Sequence, residues 1–132
     1  RPDMVIFKLL NSIFKQKTFQ LNNRGNHYRD FTYIDNVTDV LYKLMKSKIK
    51  KKHIVLNICS NNPIKLTHLI NLVKKEKLNL KFRKAPFQKA DIFKTHGSNL
   101  LLKSILGKLK FLSIDKGFYK CLSWYKKYHT KI

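Results

Sequence analysis

Apolar positions along the 132-residue chain fall into short blocks whose spacing switches between helical and strand periods. Over residues 3–17, Ile6, Leu9, Leu10, Ile13 and Phe14 share one helical face, and Lys15 and Lys17 stand at the carboxyl end, where the helix dipole favours cations. Thr18-Phe19-Gln20-Leu21 reads as a short strand closed by the turn formers Asn22-Asn23-Arg24-Gly25. Phe31-Thr32-Tyr33-Ile34 is β-rich, and Asp35 stands where an N-cap belongs, ahead of Val37, Val40, Leu41, Leu44 and Met45 on the core face of a helix over 37–48.

His53-Ile54-Val55-Leu56-Asn57-Ile58 is a continuous apolar run of strand length, the pattern of a buried parallel strand. Pro63 breaks it, Thr67 caps a helix carrying Leu69, Ile70 and Val73 inward, and Leu80 to Lys84 alternates like a half-exposed strand. Ser98 opens a helix that runs to Leu106 with Gly107 at its end, and Ser113 with Asp115 opens a last one carrying Phe118, Cys121, Leu122 and Tyr125. The aromatic-rich end, with Tyr119, Trp124, Tyr125 and Tyr128, reads at this spacing as core and lid packing rather than a base-stacking platform.

Charge changes the picture in one place. The chain holds 25 lysines and only four arginines, Arg1, Arg24, Arg29 and Arg83, so lysine serves wherever a plain positive charge suffices. Arg29 therefore stands out as a planar, bidentate ligand for an anion such as phosphate. A plainer reading pairs it with Asp30 at a strand end. Arg1, just ahead of the first helix, stands where backbone N–H groups and the dipole favour an anion; its plainer reading is a frayed terminal residue.

The formal net charge of +22 raises nucleic acid or an anionic membrane as a partner. The lysines are spread over every segment, however, with one cluster at Lys48, Lys50, Lys51 and Lys52. Lys, Asn and Ile, all with A/T-rich codons, make up 48 residues, so base composition accounts for much of the charge. No specific nucleic-acid surface is expected. No apolar run approaches the roughly 20 residues of a membrane span. Cys59 and Cys121 are unpaired in spacing and read as reduced core residues of a cytoplasmic protein, and the five histidines lack metal-ligand spacing and acidic partners.

Arg29-Asp30-Phe31-Thr32-Tyr33-Ile34-Asp35 resembles the Arg-Asp-Phe-Thr-Tyr-Ile-Asp segment of the extended short-chain dehydrogenase/reductase family, specifically of NAD-dependent nucleotide-sugar epimerases and dehydratases such as UDP-glucuronate 4-epimerase. Arg1-Pro2-Asp3-Met4 is similar to their Gly-Arg-Pro-Asp-Met, Asn57-Ile58-Cys59-Ser60-Asn61-Asn62-Pro63 to their Asn-Ile-Gly-Asn-Ser-Ser-Pro, and Trp124-Tyr125 to their terminal Trp-Tyr. Gln88-Lys89-Ala90-Asp91-Ile92-Phe93-Lys94-Thr95 matches a Gln-Pro-Gly-Asp-Val-Pro-x-Thr segment, with Ala90 for glycine, Phe93 for proline, and Gly97-Ser98 for an Ala-Asp pair. The resemblance runs the length of the chain.

The resemblance implies an α/β fold: residues 1–132 as one partial domain, the carboxyl-terminal, substrate-binding portion of a Rossmann-type enzyme, with the cofactor half missing upstream. It implies a UDP-sugar ligand, with Arg1 at the sugar end, Gln20 and Asn22 beside the uracil, Arg29 on the diphosphate, and Asp91 accepting from the ribose hydroxyls. Many relatives carry an aromatic where this chain has Asn22, which places base stacking in question. It further implies a homodimer for the full-length enzyme, and 4-epimerisation of a UDP-hexuronate or UDP-hexose through a 4-keto intermediate, with NAD taking and returning hydride.

No NAD-binding or catalytic residue is expected within the chain. The only glycines are Gly25, Gly97, Gly107 and Gly117, which form no pyrophosphate-binding turn. Tyr42 and Lys46 have the Tyr-x-x-x-Lys spacing of the family's catalytic pair but follow the Arg29 segment instead of preceding it. The alternative functions are a non-catalytic remnant that at most binds nucleotide and a small basic nucleic-acid-binding protein.

Overall fold

The computed structural model describes residues 2–129. Five helices and four short strands follow one another: α1 (Val5–Phe14), β1 (Phe19–Leu21), β2 (Tyr28–Asp30), α2 (Ile34–Lys46), β3 (Pro63–Lys65), α3 (Leu66–Lys75), β4 (Phe82–Lys84), α4 (Leu100–Leu106) and α5 (Ile114–His129). β1 pairs in parallel with β4, setting Gln20 opposite Arg83, and β2 pairs antiparallel with β3, setting Arg29 opposite Ile64. On its other edge Tyr28 bridges to Lys94, with Tyr28 N–H donating to Phe93 O at 2.9 Å and Thr95 N–H to Tyr28 O at 3.1 Å.

The apolar faces of three helices close over β1. Leu9, Leu10 and Ile13 of α1, Leu69, Ile70 and Val73 of α3, and Phe118, Leu122 and Tyr125 of α5 form one buried cluster with Phe19 and Leu21. Tyr125 is buried and stacks on Phe14, and its hydroxyl donates to Asn11 Oδ1 at 3.1 Å, so this aromatic buries its ring and satisfies its polar end. Trp124 and Tyr128 remain about half exposed, so only part of the aromatic end is core. No helix of the described residues is long and apolar enough to cross a membrane.

Several local expectations shift. The helices open on Tyr33, Lys65 and Asn99, not on Asp35, Thr67 or Ser98, and none of these three openings has a side-chain cap bond. Asp35 lies inside the first turn of α2 and accepts instead from Lys120 Nζ at 3.0 Å. Phe31 to Tyr33 is not a strand; the strand sits one step earlier, at Tyr28–Asp30. Ser113 does cap α5, its Oγ accepting from Lys116 N–H at 3.4 Å.

The larger departures are at residues 53–58 and on α2. The run expected as a buried parallel strand pairs with no strand among the described residues, and Val55 is 74% exposed. On α2 only Val40 is buried, while Leu41 and Met45 of the expected core face are open to solvent. An apolar stretch becomes a buried strand only where another strand satisfies its N–H and C=O groups, and none lies beside this one.

Exposed apolar residues on α2, on the 53–58 run and at Leu100 and Leu101 leave a surface that water covers at a cost. Prepared alone, the 132-residue chain is therefore expected to self-associate or to melt broadly, as read by sedimentation velocity and thermal denaturation. A sharp, reversible transition of a monomer would contradict this.

Candidate functional site

The site is assembled by the way residues 81–95 thread between the two strand pairs. Phe19 N–H donates to Lys81 O at 2.8 Å, Ala85 N–H to Leu21 O at 3.0 Å, and Arg24 N–H to Ala85 O at 3.1 Å, so the segment leaves β4 fastened to β1 and the following turn. That turn is tight, with Asn23, Arg24 and Gly25 all at positive φ. A Cβ on Gly25 would meet Thr67 Cγ2 at 2.8 Å, which explains glycine there. Farther on, the segment is fastened again to Tyr28 of β2. Anchored at both ends, it carries Gln88 and Asp91 over the open ends of β1 and β2.

Arg29 therefore faces Asp91. Its Nη2 donates to Asp91 Oδ1 at 2.6 Å, and its Nη1 to Tyr28 O at 2.8 Å. The other carboxylate oxygen, Asp91 Oδ2, lies 3.3 Å from Nδ1 of His27, whose side chain is fully buried against the edges of Phe87 and Phe93. Asp91 is thus held between two cationic or potentially cationic groups, with about a quarter of its side chain still accessible. His27 and His68, whose Nε2 lies 2.6 Å from Asp115 Oδ1, do have acidic partners, contrary to expectation. Among the described residues no group of three or more His, Cys, Asp or Glu side chains is placed to hold a metal.

The expected Arg29–Asp30 pair does not form. The Asp30 carboxylate turns the other way and accepts from Ser60 Oγ, from Asn61 N–H at 3.1 Å, Asn62 N–H at 3.4 Å and Gly97 N–H at 3.1 Å. Its own N–H donates to Thr95 Oγ1 at 3.1 Å. Sequence reading missed this role because the four donors lie 30 to 67 positions away.

From Arg29 and Asp91 a row of polar side chains runs along the cleft. Asn22 Nδ2 donates to Gln88 Oε1 at 3.2 Å, Gln20 Nε2 to Asn22 Oδ1 at 2.9 Å, and Arg83 Nη2 to Gln20 Oε1 at 2.8 Å. The cleft measures about 920 Å³, and Gln20, Asn22, Arg29 and Asp91 all line it, together with Asp3 and Lys8 at the α1 end. A smaller recess of about 360 Å³, lined by Gln20, Arg83 and Gln88 among others, adjoins it. Arg1 lies outside the described residues. Tyr42 and Lys46, far from this cleft in role, form an exposed cation–π contact on α2 with Nζ 4.2 Å from the ring centroid.

Two departures from the resembled motifs prove to be one. The resembled segments carry glycine where this chain has Cys59 and alanine where it has Gly97. A Cβ on Gly97 would lie 2.6 Å from Cys59 Sγ, closer than any real contact, so the larger residue at one position requires the smaller at the other. Burial, with the Asp30 carboxylate next, pushes the Cys59 thiol above its ordinary pKa and keeps it protonated at neutral pH.

No family model matches the chain. An uncharacterised protein of Methanocaldococcus jannaschii is 32% identical over 127 residues, 95% of this chain and 38% of its own length. UDP-glucuronate 4-epimerase 5 of Arabidopsis thaliana is 30% identical over 146 residues, 98% of this chain and 34% of its own. Among solved structures, UDP-glucuronic acid 4-epimerase from Bacillus cereus in complex with UDP-glucuronic acid and NAD superposes with a TM-score of 0.82 at 21% identity, covering 96% of this chain and 41% of that one. The chain thus spans about two fifths of the length of the relatives it matches.

Gly97→Ala is expected to destabilise the protein by about 1–3 kcal/mol, and adding Cys59→Gly should recover most of that loss. Denaturant titration of both single variants and the double variant checks the coupling; independent, additive losses would refute it. In sequence the chain is similar to UDP-glucuronate 4-epimerases, and in fold it matches the carboxyl-terminal portion of extended short-chain dehydrogenase/reductase enzymes.

Proposed function

We propose that the chain is the sugar-nucleotide-binding part of an NAD-dependent nucleotide-sugar 4-epimerase, acting on a UDP-hexuronate or UDP-hexose. The observation that carries the reading is the single cleft onto which Gln20, Asn22, Arg29 and Asp91, spread over 72 positions of sequence, converge. The Arabidopsis and Bacillus relatives, both UDP-glucuronate 4-epimerases, supply the substrate class.

In this reading Arg29 meets the diphosphate. One edge of its guanidinium is tied to Asp91 and Tyr28 O, which fixes the fork before ligand arrives and reduces the entropy lost on binding. Asp91 offers the ribose hydroxyls the lone pairs that Arg29 leaves unused, and a carboxylate suits a vicinal diol because each oxygen accepts one proton. Its negative charge beside a diphosphate would repel, and the intervening Arg29 offsets that repulsion. Arg1, outside the described residues, is assigned to the sugar end by the resemblance alone. Holding the nucleotide at several points fixes the sugar for reaction.

None of the described residues fits NAD. The positive-φ glycines Gly25 and Gly107 lie in a strand-following turn packed against Thr67 and at the end of α4, and neither opens a helix that could receive a pyrophosphate. In the proposed enzyme, a homodimer, hydride transfer and the Tyr-x-x-x-Lys pair belong to sequence upstream of these 132 residues. The rival is a remnant that binds nucleotide without turnover, and the upstream coding sequence discriminates: a glycine-rich strand–turn–helix followed by Tyr-x-x-x-Lys supports the enzyme, and a stop codon in their place supports the remnant.

In the full-length protein, Arg29→Lys should weaken UDP binding by about 1–3 kcal/mol, because lysine keeps the charge and loses the fork, and Arg29→Ala should cost more. Calorimetric titration measures both. An unaltered dissociation constant for Arg29→Ala would remove this residue from the site and leave it a purely structural partner of Asp91.

A further inference from the structure

Gln20, Asn22 and Gln88 on the cleft wall are joined in an unbroken row that is headed, from the adjoining recess, by Arg83, and the row has a direction. Amide oxygen and nitrogen are interchangeable in shape, so a row of Gln and Asn residues can point either way. Arg83 removes the choice. A guanidinium only donates, so Gln20 must turn its oxygen toward Arg83 and its NH₂ toward Asn22. Asn22 must then accept through Oδ1 and donate through Nδ2, and Gln88 must accept through Oε1. The far end of the row consequently presents the Gln88 NH₂ group, and its middle presents the second N–H of Asn22.

The second N–H of Asn22 and the NH₂ of Gln88 are left facing the cleft, which makes its wall rich in donors, while Arg83 itself lines the adjoining recess. Gln88 is joined to Asp91 through a turn in which Asp91 N–H donates to Gln88 O at 2.9 Å, so the row begins where the ribose-binding carboxylate ends.

We infer that Arg83 is a specificity-determining residue that, by fixing the direction of the Gln20–Asn22–Gln88 amides, selects a pyrimidine with a keto group at C4 over one with an amino group. The inference rests on the cleft being the nucleotide site. Uracil shows an acceptor oxygen at O4, which a donor wall complements. Cytosine shows an N4 amino group there, and two donors facing each other leave both unsatisfied. Arg83 also accounts for the choice of arginine on β4 in a chain that otherwise uses lysine, since a lysine ammonium orients less rigidly than the planar fork.

The test is titration of UDP and CDP into the full-length protein and its Arg83→Lys, Arg83→Ala and Arg83→Glu variants, with melting temperatures recorded alongside. The native protein should bind UDP about tenfold or more tightly than CDP. Arg83→Ala frees the amides to turn over and should bring the ratio close to one, and Arg83→Lys should fall between. Arg83→Glu places an acceptor at the head of the row, reverses every amide behind it, and should shift the preference toward CDP. Arg83 is exposed, so a purely structural role would lower melting temperature while leaving the ratio unchanged. UDP binding with the same UDP-to-CDP ratio in all four proteins would overturn this inference alone. Absence of UDP binding by the native protein would overturn the nucleotide site itself and this inference with it.

Discussion

The carboxylate of Asp30 is the constraint on which the site depends. A charge taken from water must be repaid by donors. Here a hydroxyl and three backbone N–H groups, from residues 60–62 and 97, converge on two oxygens. One acidic side chain thereby fixes the loop before β3 and the approach to α4 against the end of β2. It also decides what Arg29 can do. With Asp30 engaged on one side of the strand, Arg29, whose side chain leaves the opposite face, has no carboxylate beside it in sequence and reaches across to Asp91.

That division of labour between adjacent residues separates support from recognition. Asp30 holds the scaffold, and Arg29 with Asp91 faces the open cleft. His27 stands behind Asp91 without solvent contact, its Nδ1 3.3 Å from Oδ2, and the Arg29 hydrogen bond orients the carboxylate before any ligand arrives. The paired departures at Cys59 and Gly97 fall beside the Asp30 hub and leave the cleft lining intact. The turn that carries Asp91 is the same one in which Ala90 replaces the family's glycine and Phe93 its proline. Phe93 still offers its carbonyl to Tyr28 N–H, a backbone contact that proline at 93 would equally allow.

The residues that the structure brings to one cleft were named from the sequence on two different grounds. Arg29 is conspicuous as a rare arginine, whereas Asp91, Gln20 and Asn22 enter through the resemblance to the epimerase segments. What the sequence withheld was orientation. Whether Arg29 meets Asp30 or Asp91 is decided by donors on residues 60–62 and 97, and no short-range pattern reports them. Residues 54–58 and the outer face of α2 read as core because an apolar period states that burial is wanted, without supplying the surface that provides it. The helix openings differ by one or two residues for a related reason: Asp35 sits in the first turn of α2 and meets Lys120 on α5, a tertiary partner that no local pattern reports. His27 and Arg83 carried no motif at all, and their roles follow only from the register of β1 with β4 and the fastening of residue 93 to β2.

The central claim is that the cleft between β1, β2 and the 86–95 segment receives a nucleoside diphosphate in one orientation. A crystal structure of the full-length protein with UDP tests it most directly. The account predicts diphosphate oxygens within hydrogen-bond distance of the Arg29 guanidinium, ribose hydroxyls on Asp91, and the base against Asn22 and Gln88. UDP bound elsewhere, or bound here with its ribose turned away from Asp91, would contradict it.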